Sequence, residues 1–339
     1  MLARAALTVE DNVRNFTHIS ARSIEEAVSA LRRYGKRASI IAGGTDLLGK
    51  MKDEILPKYP EALVDIKTIP GLEFLKEEAG VLRIGALTRL EDICKEPLIK
   101  DKYTALAQAA GRTASPHLRE MGTIAGNICQ DIRCWYYRNP NNRFPCLRKG
   151  GGRCYAIEGD NRYHSIMGGS VEEGCYAVHP SDTAPALIAL NAGVMTSKRL
   201  INVDDLFQVD VVKTTILDSD EIITEIQVPE PPANSSSVFL KFAIRKSIDF
   251  PIVNCAAMIT SKARKVTDAR ICLNAIYVRP YRAVKAEQHI VGKVVDESIA
   301  EAAGSAALAE AKPFERNRYM VQVAKVLIKR AILACIEAS

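Results

Sequence analysis

The sequence predicts an α+β chain of more than one domain. Three observations carry that expectation. The chain has 339 residues, long for one hydrophobic core and enough for two or three. Apolar segments of helical and of strand period alternate up to residue 66. A break then follows the strand-like residues 222–228: Pro229, Glu230, Pro231 and Pro232 precede the polar run at 234–237, and the pattern beyond it differs.

The elements follow in order. Residues 23–34 predict a helix, since Ile24, Ala27, Val28 and Leu31 recur at helical spacing and Ser23 with Glu26 makes a capping box. Residues 38–42 read as a strand running into Gly43 and Gly44, and residues 62–66 as a second strand after a Pro-containing connection. Residues 82–84, with Gly85 and Ala86, make a short strand before Thr88, a candidate cap for a helix carrying Leu90 and Ile93. Residues 103–111 predict another helix. Residues 127–173 show neither period and are rich in Gly, Arg, Asn, aromatics and Cys; a loop of that length is functional or disordered, and its cysteines favour function. Helical patterning resumes at 184–192. Past the break, residues 238–244 alternate as a strand, and 296–311 and 318–336 read as helices.

Composition excludes several classes. With 47% hydrophobic and 25% charged residues the chain is ordinary for a globular protein, not for a fibre or a disordered segment. Its net charge of +6 is spread along the chain with no basic block interleaved with aromatics, so no nucleic-acid partner is expected. The longest apolar stretches, such as 184–192, fall far short of the roughly 20 residues that cross a bilayer. Glu10 and Asp11 arrive before any apolar run of signal-peptide length, so a reducing, cytoplasmic location is expected. Clustered thiols in such a compartment bind metal or do redox work. Five of the nine cysteines lie between Cys129 and Cys175; Cys94, Cys255, Cys272 and Cys335 stand alone and read as small buried side chains.

Five groups of residues could carry chemistry. In Ile41-Ala42-Gly43-Gly44-Thr45-Asp46-Leu47-Leu48 a strand delivers two glycines into a turn, where backbone N–H groups can converge on a phosphate; the alternative is a tight turn needing positive φ. Gly122-Thr123-Ile124-Ala125-Gly126-Asn127 is a second loop of small residues, and two such loops suit a diphosphate; the alternative is a β-bulge and a turn. The cysteines read Cys129-x4-Cys134-x11-Cys146-x7-Cys154-x20-Cys175, which leaves zinc, an iron-sulfur cluster and free thiols all open. Arg133, Arg138, Arg143, Arg148 and Arg153 punctuate that loop and either stabilise an anionic cluster or face solvent. Period two places Lys241 and Arg245 on one strand face, suited to a reduced flavin or simply solvated. Asp182, in His179-Pro180-Ser181-Asp182, could cap the next helix or accept a ribose hydroxyl. The remaining histidines, His18, His117, His164 and His289, form no triad or metal pair and read as structural.

The strings IAGGTDLL, SPHLREMGTIAGN and KFAIRKSIDFP, in this order and at these separations, resemble the flavoprotein subunit of the molybdenum hydroxylases, a family that includes carbon monoxide dehydrogenase and xanthine dehydrogenase. The resemblance runs from about Phe16 to Lys329. A subset of the family, the 4-hydroxybenzoyl-CoA reductase beta subunit and the flavin subunit of a periplasmic aldehyde oxidoreductase, carries an inserted loop with a 4Fe-4S cluster. NICQDIRC looks like the loop entrance of the reductase, taken as the closest member, while CYAIEGDNRYH looks more like the aldehyde enzyme.

That resemblance implies an FAD-binding domain of two α/β subdomains at 10–231, split at 66 and carrying the cysteine loop 128–176 in its second part. A C-terminal domain with a small antiparallel sheet and helices would fill 232–339. It implies FAD contacts at Ile40, Ile41, Ala42, Gly43, Gly44, Thr45, Asp46 and Leu47, at Thr113, at Thr123, Ile124, Ala125, Gly126 and Asn127, and at Asp182, Ile222 and Lys241. It implies Cys134, Cys146, Cys154 and Cys175 as cluster ligands, with Cys129 the extra thiol. The expected partners are a large subunit holding the molybdenum cofactor and a small 2Fe-2S subunit, with ferredoxin or NAD as external carrier. This chain then passes electrons, and no residue of its own transforms the organic substrate. The expected function is most like that of 4-hydroxybenzoyl-CoA reductase, with an aldehyde or xanthine dehydrogenase-type flavin subunit as the second reading. Two rivals differ in kind: a stand-alone flavoenzyme, and a zinc-stabilised scaffold without redox role.

Overall fold

The computed structural model of the chain describes residues 13–170 and 174–338; residues 10–12 of the expected first domain and 171–173 of the cysteine loop lie outside them. Among the described residues three sheets each carry their own helices, which is the α+β organisation expected.

The first sheet is parallel, in the order β1-β3-β2. It is built from β1 (Thr17–Ser20), α1 (Ile24–Tyr34), β2 (Ala38–Ile41), α2 (Leu47–Lys52) and β3 (Ala62–Asp65). The Ser23 hydroxyl accepts the Glu26 N–H at 3.2 Å, so α1 starts where its capping chemistry puts it. Its apolar stripe, Ala27 and Leu31, is buried against Val64 and Ile66.

The second sheet is antiparallel, in the order β4-β5-β8-β6-β7. Its elements are β4 (Leu75–Glu78), β5 (Val81–Gly85), α3 (Leu90–Lys95), α4 (Pro97–Lys102), α5 (Thr104–Gly111), α6 (Pro116–Met121), α7 (Ile124–Ile128), α8 (Thr183–Ala189), β6 (Gly193–Thr196), β7 (Leu200–Asn202) and β8 (Ile223–Pro229). Leu82, Ile84, Val194 and Ile226 of the sheet bury themselves against Leu106, Ile124 and Leu187 of the helices. Each such side chain contributes about 1.5–3 kcal/mol by leaving water. Thr88 does not cap α3 as expected. Its hydroxyl donates to the Phe74 carbonyl at 2.8 Å, and the N-cap of α3 is Arg89, which makes no side-chain cap.

The third sheet, β12-β11-β10-β9, is also antiparallel. It comprises β9 (Ser235–Phe242), β10 (Val253–Lys262), β11 (Lys265–Asn274) and β12 (Tyr281–Arg282), with α9 (Val284–Ile290), α10 (Glu297–Ala307) and α11 (Arg318–Glu337) over it. Residues Val253, Cys255, Ala257 and Ile259 of β10 pack towards α11, while Ala256 packs with Phe239 against alanines of α5 and α8. Both faces of β10 are covered, so its sequence shows no period of two. Gly304 lets α10 and α11 close together: a Cβ there would stand 2.7 Å from the Lys325 carbonyl oxygen.

The cysteine loop lies between α7 and α8, and among its described residues the helical elements are two short 3₁₀ turns, Pro140–Asn142 and Leu147–Lys149. It is clamped to the third sheet's domain: Ile166 N–H donates to the Ile276 carbonyl at 3.0 Å, and Lys312 N–H to the Ile166 carbonyl at 2.7 Å. No described helix is long and apolar enough to cross a membrane.

Candidate functional site

The first glycine loop leaves β2 with alternate side chains on opposite faces. Ile40 and Ala42 pack in the same cluster as the buried Ile222, while Ile41 and Leu47 pack with Met51 and Leu63. A Cβ on Gly43 would lie 1.9 Å from the Met121 carbonyl oxygen, so this loop can touch the start of the second one only as glycine. Gly44 holds φ at 72°, and Thr45 is exposed. The Asp46 carboxylate faces the cysteine loop: Arg133 and Arg138 each bring an Nη2 to 2.7 Å of its Oδ1, and the Asp131 N–H reaches Oδ2 at 2.9 Å.

The second loop is a helical turn, not the bulge and turn weighed as its alternative. Thr123 takes an extended conformation and its hydroxyl accepts the Gly126 N–H at 3.2 Å, which starts α7. Ile124 is buried, with Ala125 packed beside it. Asn127 is buried too, and its Oδ1 accepts the hydroxyls of Ser181 at 2.5 Å and Thr183 at 2.7 Å. Ser181 also accepts the Ala184 N–H at 3.0 Å and so caps α8. Asp182 makes no side-chain cap. It points instead at Lys241, whose Nζ lies 2.6 Å from Oδ2, while Asn254 Nδ2 donates to Oδ1 at 2.8 Å. Burial pushes the Asp182 carboxyl above the usual range, against the pull of Lys241. Lys241 also donates to the Arg112 carbonyl at 3.0 Å, beside Thr113, whose hydroxyl donates to the Ala109 carbonyl at 2.9 Å.

The expected pairing of Lys241 with Arg245 on one face does not occur. β9 ends at Phe242, before the alternation reaches Arg245, and Arg245 turns out to an ion pair with Asp249 while Lys241 stays buried.

Cys134, Cys146, Cys154 and Cys175 line one small chamber together with Ile132, Tyr137 and Arg148; the exposed Cys129 lies outside it. Burial pushes the Cys134 thiol up to about 12 and the Cys175 thiol up to about 11, so these sulfurs stay protonated unless a cation binds them. Among the described residues no three His, Cys, Asp or Glu side chains are close enough to hold a single metal ion. Of the five loop arginines, Arg148 alone lines the chamber; Arg133 and Arg138 hold Asp46, and Arg143 and Arg153 are exposed. Lys149 Nζ is buried without a hydrogen-bond partner, near enough to feel the charges of Cys146 and Cys134.

A larger cavity of about 460 Å³ adjoins this chamber, and Cys134 lines both. Arg133, His164, Pro180, Arg245, Phe250 and Ile252 form much of its wall. The Arg133 guanidinium stands 4.5 Å over the Phe250 ring, its Nε has no partner, and burial together with Arg138 pushes it down to about 10. His164, read from sequence as merely structural, sits with Nε2 3.2 Å from Cys134 Sγ; burial lowers its pKa to about 4, so the ring is neutral. No spacing rule pairs positions 134 and 164, because only the folded loop brings them together.

Two family descriptions match the chain: residues 14–231 match the FAD binding domain in molybdopterin dehydrogenase, and residues 238–335 match the CO dehydrogenase flavoprotein C-terminal domain. The aldehyde oxidoreductase FAD-binding subunit PaoB of Escherichia coli strain K12 is 33% identical over 312 residues, covering 89% of this chain and 92% of that one. The carbon monoxide dehydrogenase medium chain of Hydrogenophaga pseudoflava is 27% identical and covers 94% of this chain and 96% of its own. The solved carbon monoxide dehydrogenase of that organism, in a form lacking the Mo-pyranopterin moiety, superposes with a TM-score of 0.75 at 26% identity, covering 96% of this chain and 98% of that one. A zinc scaffold without redox role is thereby set aside. With both domains matched over nearly its whole length, the chain belongs to the FAD-binding medium subunits of the molybdenum hydroxylase family and is an oxidoreductase subunit.

Proposed function

We propose that this chain is the electron-transfer subunit of a molybdenum dehydrogenase of the aldehyde or xanthine dehydrogenase type, holding FAD and a 4Fe-4S cluster. The aldehyde oxidoreductase subunit at 33% identity supports that class in place of the 4-hydroxybenzoyl-CoA reductase likeness of the loop entrance. The carrying observation is that four of the loop's five thiols surround one chamber whose Cys134 also walls the larger cavity. Four cysteines lining one chamber, with Arg148 in its wall and Lys149 close by, match the thiolate ligands and cationic surroundings of an iron-sulfur cluster.

In this reading the backbone N–H groups of Ile40 to Leu47 and of Thr123 to Asn127 bind the FAD diphosphate, with Thr113 and Ile222 beside them. Gly43 permits the two loops to meet. Lys241 is positioned by Asp182 to face the flavin, and Arg133, with its unpartnered Nε, offers a cation to an anionic ring in the adjoining cavity. FAD supplies the exchange between two-electron and one-electron chemistry. The two domains divide at 231, where the matched regions also part. A large molybdenum-cofactor subunit, which converts the organic substrate, and a small 2Fe-2S subunit are the partners, since the relatives are named as FAD subunits or medium chains. Ferredoxin or NAD serves as external carrier.

Iron, zinc and flavin content with a visible spectrum, on anaerobically purified protein, tests this. About four iron atoms and one FAD per chain support it. Flavin without iron leaves a plain flavin subunit, and zinc without flavin overturns the reading.

A further inference from the structure

His164 and Cys134 make a contact that the proposed function does not use. Cys134 is the thiol common to the chamber and the larger cavity, and His164 lines that larger cavity. Its Nε2 lies 3.2 Å from Cys134 Sγ, while its Nδ1 is buried with no hydrogen-bond partner. The backbone of His164 is held on both sides and its ring lies among aromatics. Its own carbonyl accepts Asn317 Nδ2 at 3.0 Å, its N–H reaches the Asn161 carbonyl at 3.0 Å, and the rings of Trp135 and Tyr136 stand 5.9 and 6.1 Å away.

We propose that His164 is a positioning residue that donates its Nε2–H to the Cys134 thiolate and thereby raises the reduction potential of the cluster. The inference rests on the proposed cluster assignment. Its chemistry is simple. A coordinating thiolate has lost its own proton and can only accept, so a ring nitrogen 3.2 Å away pairs with it by donating N–H. Nδ1 has no hydrogen-bond partner, which leaves Nε2 as the ring's one polar contact. Reduction adds negative charge that the sulfurs share, so a donor to sulfur stabilises the reduced state more than the oxidised one.

The test is a redox titration followed by electron paramagnetic resonance on the purified holoprotein, comparing wild type, His164→Phe and His164→Gln. Loss of the donor in His164→Phe is expected to shift the one-electron equilibrium about tenfold towards the oxidised cluster, about 59 mV lower, with iron content retained. The Gln amide restores most of the shift. An unchanged potential in His164→Phe at full iron overturns the proposal. Should His164→Phe lose its iron, the wild-type protein still decides: with ¹⁵N-labelled histidine, pulsed resonance on the reduced cluster must detect a coupled histidine nitrogen and an exchangeable proton. Their absence overturns the proposal as well. A wild-type chain with flavin but no iron sinks the cluster assignment itself, which is a separate result.

Discussion

Lys241 Nζ and Asp182 Oδ2 lie 2.6 Å apart with both side chains almost entirely buried, which joins β9 to the segment before α8. Removing one partner leaves the other charge without compensation, at a cost of about 3–5 kcal/mol. Lys241→Met is therefore expected to lower the urea midpoint and the bound flavin together. The double variant Lys241→Met/Asp182→Asn should recover part of the stability but not the flavin. Recovery of both would mean that the pair has a structural role only.

Gly43→Ala tests the meeting of the two loops. Its Cβ would overlap the Met121 carbonyl oxygen at 1.9 Å, a contact that backbone must move to relieve. A loss of about 1–3 kcal/mol is expected from such overpacking, with reduced flavin content at equal protein concentration. Gly49→Ala, where nothing lies within 4 Å, is the control and should leave flavin content unchanged.

The ligand set is separable by iron analysis. Ser at Cys134, Cys146, Cys154 or Cys175 should each lower iron well below that of the wild type, while Cys129→Ser, outside the chamber, should retain it. Iron lost from the Cys129 variant and kept in the Cys134 variant would reverse the assignment.

Acid should unfasten the cysteine loop through Asp131. Burial opposes its ionisation, yet Lys50, Arg148 and Arg138 outweigh that and hold its carboxyl well below the usual range. An unfolded Asp titrates at about 3.9. Between that value and the lower native one the unfolded chain binds more protons, so the contribution is complete above about pH 4 and is lost as pH falls. Urea midpoints followed by the fluorescence of Trp135, the single tryptophan, should fall between pH 4 and pH 3 in the wild type. Asp131→Asn should start lower at pH 7 and fall less steeply.

How far the sequence carried can be read from particular residues. Ser23 and Glu26 mark the start of α1 because capping is a local matter of one hydroxyl and one N–H. The helices at the C-terminus and the strands flanking Gly43 were legible for the same reason: their periods are written in adjacent residues. β10 was not, since sheet neighbours and helices cover it on both sides and erase the alternation. Thr88 and Asp182 looked like caps, but each found a partner far along the chain, Phe74 for one and Lys241 for the other.

The site divides the same way. Residue type and spacing alone named two glycine loops and a group of thiols, since backbone freedom and thiolate chemistry belong to the residues themselves. The family resemblance named the four thiols, but that they face one chamber, that Arg133 and Arg138 lock onto Asp46, and that His164 meets Cys134 were decided only by folding. The reason is physical: hydrogen bonds and ion pairs act over a few ångströms, and the loop that makes them has no repeating geometry from which such distances could be read.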